Sequence, residues 1–386
     1  DAEPQAEEGH LAPAVYWISR LERPWSVNGL CRRRQGVSAL TMAKYSTRTG
    51  IANLPLHGGH APAWLFQRMT RLAREITEAI VIDYGPEEML RRLSDPFWFQ
   101  AFGCVLGYDW HSSGVTTTVC GALKAGLSGT ERDLGLFVGG GKGKAARATP
   151  SDITAKGHGL AVDPAGLIYA SRMSAKVDSV ALQDGYDLYH HSIFFAAQGK
   201  WAVVQQGMNE RSKYARRYHW LGEAVTDFCS EPQSAICSDS RGRAFNLVAQ
   251  ESEPTRSVIA QMAADFKPGT LKQEFERVRV LSMPRREYLM AQDISLTRIG
   301  RFLDTVQEQN PQDFASLLAL PGVGAKTARA MALIADVVYG VPTSFRDPAT
   351  YSFAHGGKDG YPFPVDRALY DTSIRLLHNA VRRARI

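Results

Sequence analysis

Leu320-Pro321-Gly322-Val323-Gly324-Ala325-Lys326-Thr327-Ala328 decides how the C-terminal half of the chain is read. Just ahead of it, Asp313 to Leu320 has the length and apolar content of a short helix. Beyond it, Ala328, Met331, Ala332, Ala335 and Val338 recur at helical spacing, which predicts a second helix over Ala325 to Tyr339. Gly322 and Gly324 lie between the two; glycine adopts backbone angles that other residues resist and lets a ligand approach the main chain closely. The amides of this turn fall at a helix N-terminus, where unpaired N–H groups and the helix dipole favour an anion. Lys326 adds a positive charge in the first turn. Helix, glycine turn and helix together make a phosphate-binding device; the plain alternative is an ordinary tight connection between two helices.

Composition allows that partner without requiring it. Lysine and arginine outnumber aspartate and glutamate 45 to 39, a net charge of +6. A chain of 386 residues with 44% hydrophobic and 22% charged residues is globular and long enough for about two or three domains. Five cysteines at irregular spacing fit neither a disulfide framework nor a four-ligand zinc site, and they suit a reducing compartment. No apolar run reaches the length of a membrane span. The expectation is a cytoplasmic protein with no membrane partner.

Four segments follow from the pattern. Residues 1–41 have no periodic stretch and precede Met42, so they are expected to be a disordered or non-native leader. Residues 43–230 read as a mixed α/β domain. Within it, Trp64, Leu65, Met69, Leu72, Ile76 and Ile80 form a helical stripe after Pro62, Pro86 and Pro96 each open a short helix, and Val115 to Ala125 is helical. Tyr186 to Ala196 and Trp201 to Met208, joined by Ala197-Gln198-Gly199-Lys200, predict a β-hairpin. Gly139 to Lys144 reads as a mobile basic loop, because the spacing of a Walker phosphate loop fails. Arg211 to Leu221 reads as a basic, aromatic helix or turn. Residues 231–255 are polar and read as a linker, and residues 256–386 as an all-helical C-terminal domain. The fold class expected is α+β.

Two resemblances add to this. Arg48-Thr49-Gly50, Leu54-Pro55-Leu56-His57-Gly58-Gly59, Asp109-Trp110-His111-Ser112-Ser113-Gly114, Trp201 to Met208, Ala215 to Leu221 and Tyr351 to Gly360 resemble the domain-of-unknown-function 763 family over residues 45–377. That family implies no stated activity. The stretch 313–377 resembles the helix-hairpin-helix motif of the DNA glycosylase superfamily, whose members remove damaged bases. In bifunctional members a lysine two residues past the last hairpin glycine attacks the sugar; Lys326 occupies that position. The superfamily's catalytic aspartate follows a β-branched residue, as Asp366 follows Val365. The connection Val341 to Pro364 is longer than the superfamily's usual loop, and no cysteine-rich cluster loop follows.

Several constellations are candidates for chemistry. Lys326 and Asp366 suit glycosidic cleavage or abasic-site lysis, since an amine forms a Schiff base with C1′ and a carboxylate stabilises the cationic sugar. The bland reading makes Lys326 a phosphate contact and Asp366 a helix cap. DNA contacts are expected from Gly322, Val323, Gly324, Lys326, Thr327 and Lys358. Arg216 and Arg217, interleaved with Tyr214, Tyr218 and Trp220, suit backbone contact and base stacking; a solvated basic helix explains them as well. Asp109, His111 and His57 are compatible with Mg or Mn (or Zn) at a phosphodiester, which admits a metal-dependent nuclease in the N-terminal half. His190 and His191, adjacent on a strand, must face opposite ways, so only one of them can share a site with Gln205 or Gln206. The functional expectation is a protein that binds duplex, damaged or branched DNA and processes it in repair. A non-catalytic DNA-binding module is the third reading.

Overall fold

The computed structural model describes residues 61–108, 113–160, 162–212, 214–238, 241–265 and 296–351, with single positions between 371 and 382. The leader expected over residues 1–41, together with His57, Asp109, His111, Lys358 and Asp366, lies outside the described residues. Residues Thr49–Ile386 cluster as one compact unit of mixed helix and antiparallel sheet.

The N-terminal helices start where proline and aspartate place them. Helix α1 (Ala63–Tyr84) begins after Pro62 and buries Leu65, Met69, Leu72 and Ile80. Pro86 is the first residue of α2 (Pro86–Ser94), where its missing N–H costs no helical bond. Asp95 caps α3 (Pro96–Val105), its carboxylate accepting from the amides of Phe97 at 2.8 Å and Trp98 at 3.1 Å. Helix α4 (Gly114–Leu127) and the single turn α5 (Glu131–Leu134) complete this layer.

A five-stranded antiparallel sheet lies beneath it, in the order β1 (Leu136–Lys142), β3 (Asp187–Ala196), β4 (Trp201–Asn209), β5 (Tyr214–Leu221), β6 (Ala235–Cys237). Side chains alternate between its faces, and both faces are covered. Leu136, Val138, Phe194, Ala202 and Val204 pack against α1 to α4. Phe137, Ile193, Phe195, Val203 and Trp220 pack into a second core on the other side. After the single turn α6 (Lys144–Arg147), which buries no residue, that core is closed by α7 (Thr149–Gly157), α8 (Pro164–Lys176) and a π-turn (Val177–Ala181). It continues into α9 (Glu253–Asp265), α10 (Leu296–Gln309), α11 (Phe314–Ala319) and α12 (Ala325–Tyr339) through Ile259, Phe302, Phe314 and Met331. Beside it, β2 (Leu182–Gln183), β7 (Arg243–Asn246) and β8 (Ser344–Arg346) form a small second sheet. Among the described residues no helix is long and apolar enough to cross a membrane.

Four stretches differ from the sequence reading. The part from residue 256 onward, read as all-helical, also carries strand β8 (Ser344–Arg346), which pairs with β7. Gly139 to Lys144 is largely strand β1 rather than a loop: Gly140 has φ +87°, and a Cβ there would stand 2.2 Å from the carbonyl oxygen of His191, so glycine alone lets β1 lie against β3. Arg211 to Leu221, read as helix or turn, has only Arg211 and Ser212 in a turn and is otherwise mostly β5, whose alternation is hidden because arginines occupy both faces. The polar stretch 231–255, read as a linker, supplies β6 and β7 and buries Ala235, Ile236, Cys237 and Phe245.

Candidate functional site

The glycine turn joins two helices as its sequence predicts. Asp313 opens α11 with a reciprocal cap, its carboxylate accepting from the Ser316 amide at 2.7 Å while its own amide donates to the Ser316 hydroxyl at 3.1 Å. Gly322 has φ +83°, and Gly324, with an ordinary φ of −123°, stands just before α12. Val323, between them, is buried in the apolar seam of Ile259, Phe314, Leu318 and Met331, so the turn is anchored from below. Among the described residues nothing stands over its outer side: a Cβ built on Gly322 or Gly324 meets no atom within 4 Å, and no side chain caps the first amides of α12, whose first turn carries no acidic residue. Lys326 is exposed beside these amides, and Thr327 is buried.

Two side chains, one at the end of α8 and one on β2, hold the turn in place. Lys176 Nζ donates to the carbonyl oxygens of Leu318, at 2.7 Å, and Leu320, so it closes the end of α11. Burial pushes this amine down to about 8. Gln183 Nε2 donates to the carbonyl of Ala325, the first residue of α12, at 2.9 Å. Neither residue drew attention in the sequence, where each lies more than a hundred positions from its partner.

The two strand arginines expected at a nucleic-acid surface are buried instead. Arg216 pairs bidentately with Asp347 at 2.9 and 3.0 Å, pairs with Asp184 at 2.9 Å, and lies 4.5 Å from the Tyr186 ring centre. Those carboxylates stand 32 and 131 residues away in sequence, which is why local reading left the charge to solvent. Arg217 stacks 4.7 Å from the Phe99 ring centre and donates to His219 Nε2 at 2.8 Å and Gln100 Oε1 at 3.0 Å.

His190 and His191 do face opposite sides of the sheet, and each finds a glutamine. His191 Nδ1 donates to Gln205 Oε1 at 2.8 Å while its Nε2 accepts from the Ser171 hydroxyl at 2.8 Å. Gln205 Nε2 donates at 2.6 Å to Asp178, a fully buried carboxyl that also accepts from Trp220 Nε1 at 2.7 Å and Gln233 Nε2 at 2.6 Å. Burial pushes Asp178 up to about 8. On the other face, His190 stands across from Gln206, and Gln206 across from Arg217. Among the described residues no three His, Cys, Asp or Glu side chains gather as a metal would need.

The family described as "Protein of unknown function (DUF763)" matches residues 50–365. Neither the curated proteins nor the solved structures give a match.

Proposed function

Because the chain belongs to the DUF763 family, whose description states no activity, we propose from the turn's chemistry that it binds duplex DNA through the Gly322–Gly324 hairpin and processes it in repair. One observation carries the reading: an anchored turn presents uncapped helix amides, two open glycine faces and an exposed lysine at a single spot. A phosphodiester accepts hydrogen bonds from such amides and approaches only where no Cβ stands. The catalytic half of the proposal gives Lys326 the role of Schiff-base nucleophile at an abasic or damaged site, with Asp366 stabilising the cationic sugar. The second core joins the hairpin to the sheet, so the helical C-terminal part acts as a rigid presenting platform.

The two glycines test the binding half separately. Gly324 has an ordinary φ, so Gly324→Ala should leave the melting temperature nearly unchanged and still weaken duplex binding about tenfold, whatever the sequence, by blocking phosphate approach. Gly322→Ala at φ +83° should in addition cost about 1–2 kcal/mol of stability. Duplex binding of folded Gly324→Ala at wild-type strength sinks the hairpin assignment. Borohydride trapping on abasic DNA tests the catalytic half: an adduct that persists in Lys326→Gln points to another amine, and no adduct in the wild type removes the lyase.

A further inference from the structure

The face of the sheet beneath α4 carries a polar row that the proposed DNA contact does not use. Lys142, His190, Gln206, Arg217 and Cys237 are direct neighbours across all five strands of the sheet. Lys142 is exposed at one end; His190, Gln206 and Arg217 are at most 1% exposed. Above the row, Ser113, Thr116 and Cys120 follow one helical face of α4 at spacings of three and four. The Ser113 carbonyl accepts from Gln206 Nε2 at 2.8 Å, and the Cys120 thiol shares a hydrogen bond with Ser192, which brackets Thr116 over the row.

Four buried polar atoms here have no hydrogen-bond partner among the described residues: Thr116 Oγ1, His190 Nδ1, Gln206 Oε1 and Arg217 Nη1. An unpaired buried polar atom costs about 1–3 kcal/mol, and an uncompensated charge costs more. Arg217 is such a charge. No carboxylate of the described residues pairs with it; the groups that favour its charged form are the thiols of Cys237 and Cys120, which burial pushes up to about 11 and about 12 and so keeps protonated. The neighbouring bonds fix the character of each atom. His219 Nδ1 donates to the Leu93 carbonyl, so its Nε2 accepts from Arg217. His190 Nε2 shares a hydrogen bond with the Ser192 hydroxyl at 3.1 Å; with that hydroxyl donating, the neutral imidazole carries its proton on Nδ1. Because the Ser113 carbonyl can only accept, the Gln206 amide nitrogen must face it, and Oε1 is left as an acceptor. In that tautomer the cluster offers two donors, one of them cationic, one acceptor, and a threonine hydroxyl able to do either.

We propose that His190, Gln206, Arg217 and Thr116 form a binding site for a phosphate group that keeps a protonated oxygen. Arg217 and His190 donate to its ionised oxygens, and Gln206 Oε1 accepts from its P–OH. Exposed Lys142 at the open end of the row attracts the anion. Burial of the row suits free phosphate or a terminal phosphate on a small molecule rather than a phosphodiester, which has no such hydrogen. The acceptor also sets selectivity: fully ionised sulfate has no proton to give Gln206 and is rejected on charge repulsion.

Full-length protein melted and titrated calorimetrically with inorganic phosphate, sulfate or chloride at matched ionic strength tests this. The expected result is a melting temperature raised by about 3 °C or more near 10 mM phosphate, with affinity for sulfate at least roughly tenfold weaker. Arg217→Met abolishes the response. Thr116→Val, nearly isosteric and safe for folding, weakens phosphate about tenfold while leaving the ligand-free protein as stable or more so. No phosphate response, equal responses to phosphate and sulfate, or a response untouched by Thr116→Val overturns the site. Gly324→Ala should keep the full phosphate response; its loss there would mean that phosphate sits on the hairpin, which also overturns the site. Failure of duplex binding alone leaves this proposal standing, because the two sites share no residue.

Discussion

Raising the pH from 6.5 to 8 should destabilise the fold by about 1 kcal/mol, and Asp178 is the main reason. Its carboxyl is fully buried, and burial pushes it up to about 8 against the three N–H donors of Gln233, Trp220 and Gln205, which favour the ionised form. In the unfolded chain the same group ionises near pH ~3.9. Between those values the folded state keeps a proton that the unfolded state has lost, so stability falls as pH rises. The slope of about 1.36 kcal/mol per unit halves as the carboxyl reaches its own titration at about 8, and the Lys176 amine, held down to about 8, begins to release its proton there and offsets part of the loss. Below pH 6.5 three histidines act the other way. Burial holds His190 down to about 3 and holds His191 and His219 below their usual range, so they stay neutral while the unfolded chain takes up protons. Three groups outweigh one, and stability should peak near pH ~6.5. Urea unfolding at half-unit steps from about pH 5 to 9 gives the curve, and Asp178→Asn should flatten its alkaline limb. Wild-type stability that climbs between pH 6.5 and 8, or an alkaline limb unchanged in Asp178→Asn, would refute the reasoning.

Other outcomes follow from the hairpin and its supports. Lys326→Gln should cost roughly tenfold or less in duplex affinity and reduce the salt slope by about one, measured by binding isotherms across ionic strength. Lys176→Met removes the donor to the Leu318 and Leu320 carbonyls; it should cost about 1–3 kcal/mol in urea unfolding and weaken DNA binding in step. Protein starting at Met42 should melt at the wild-type temperature and bind DNA equally, and a drop of several degrees would mean that the preceding residues pack on the fold.

What the sequence made legible was whatever one turn of chain decides for itself. Proline at a first helical position and the stripe from Leu65 to Ile80 are local devices, and α1, α2 and α3 begin where they stand; the Asp95 and Asp313 caps are equally local but were not read from the sequence. The β3–β4 hairpin was equally visible, because its apolar and aromatic runs bracket a short polar turn around Gly199. Charged residues on a buried strand gave the opposite signal. Arg216 and Arg217 look like solvent or phosphate contacts until Asp184, Asp347, Phe99 and Gln100 are brought to them. No reading of neighbours in sequence supplies a carboxylate 131 residues away.

That long-range pairing also explains why strand β5 was missed while its consequences matter most. A buried guanidinium is tolerated only with compensation, and Arg216 obtains it from two carboxylates. Arg217, one residue along and on the opposite face, is as deeply buried and has neutral partners alone among the described residues. The two therefore call for different explanations. Arg216 ties β5 to the segment that follows α12, which helps make the sheet and the hairpin's platform one unit. Arg217 ties β5 to α3 through Gln100 and Phe99, but these partners are neutral, so the cost of its charge is left to what binds it. If Arg217 were merely structural, Arg217→Met should stabilise the protein in phosphate and in chloride alike; a gain seen only without phosphate, and reversed when phosphate is added, is what a ligand-binding cation produces.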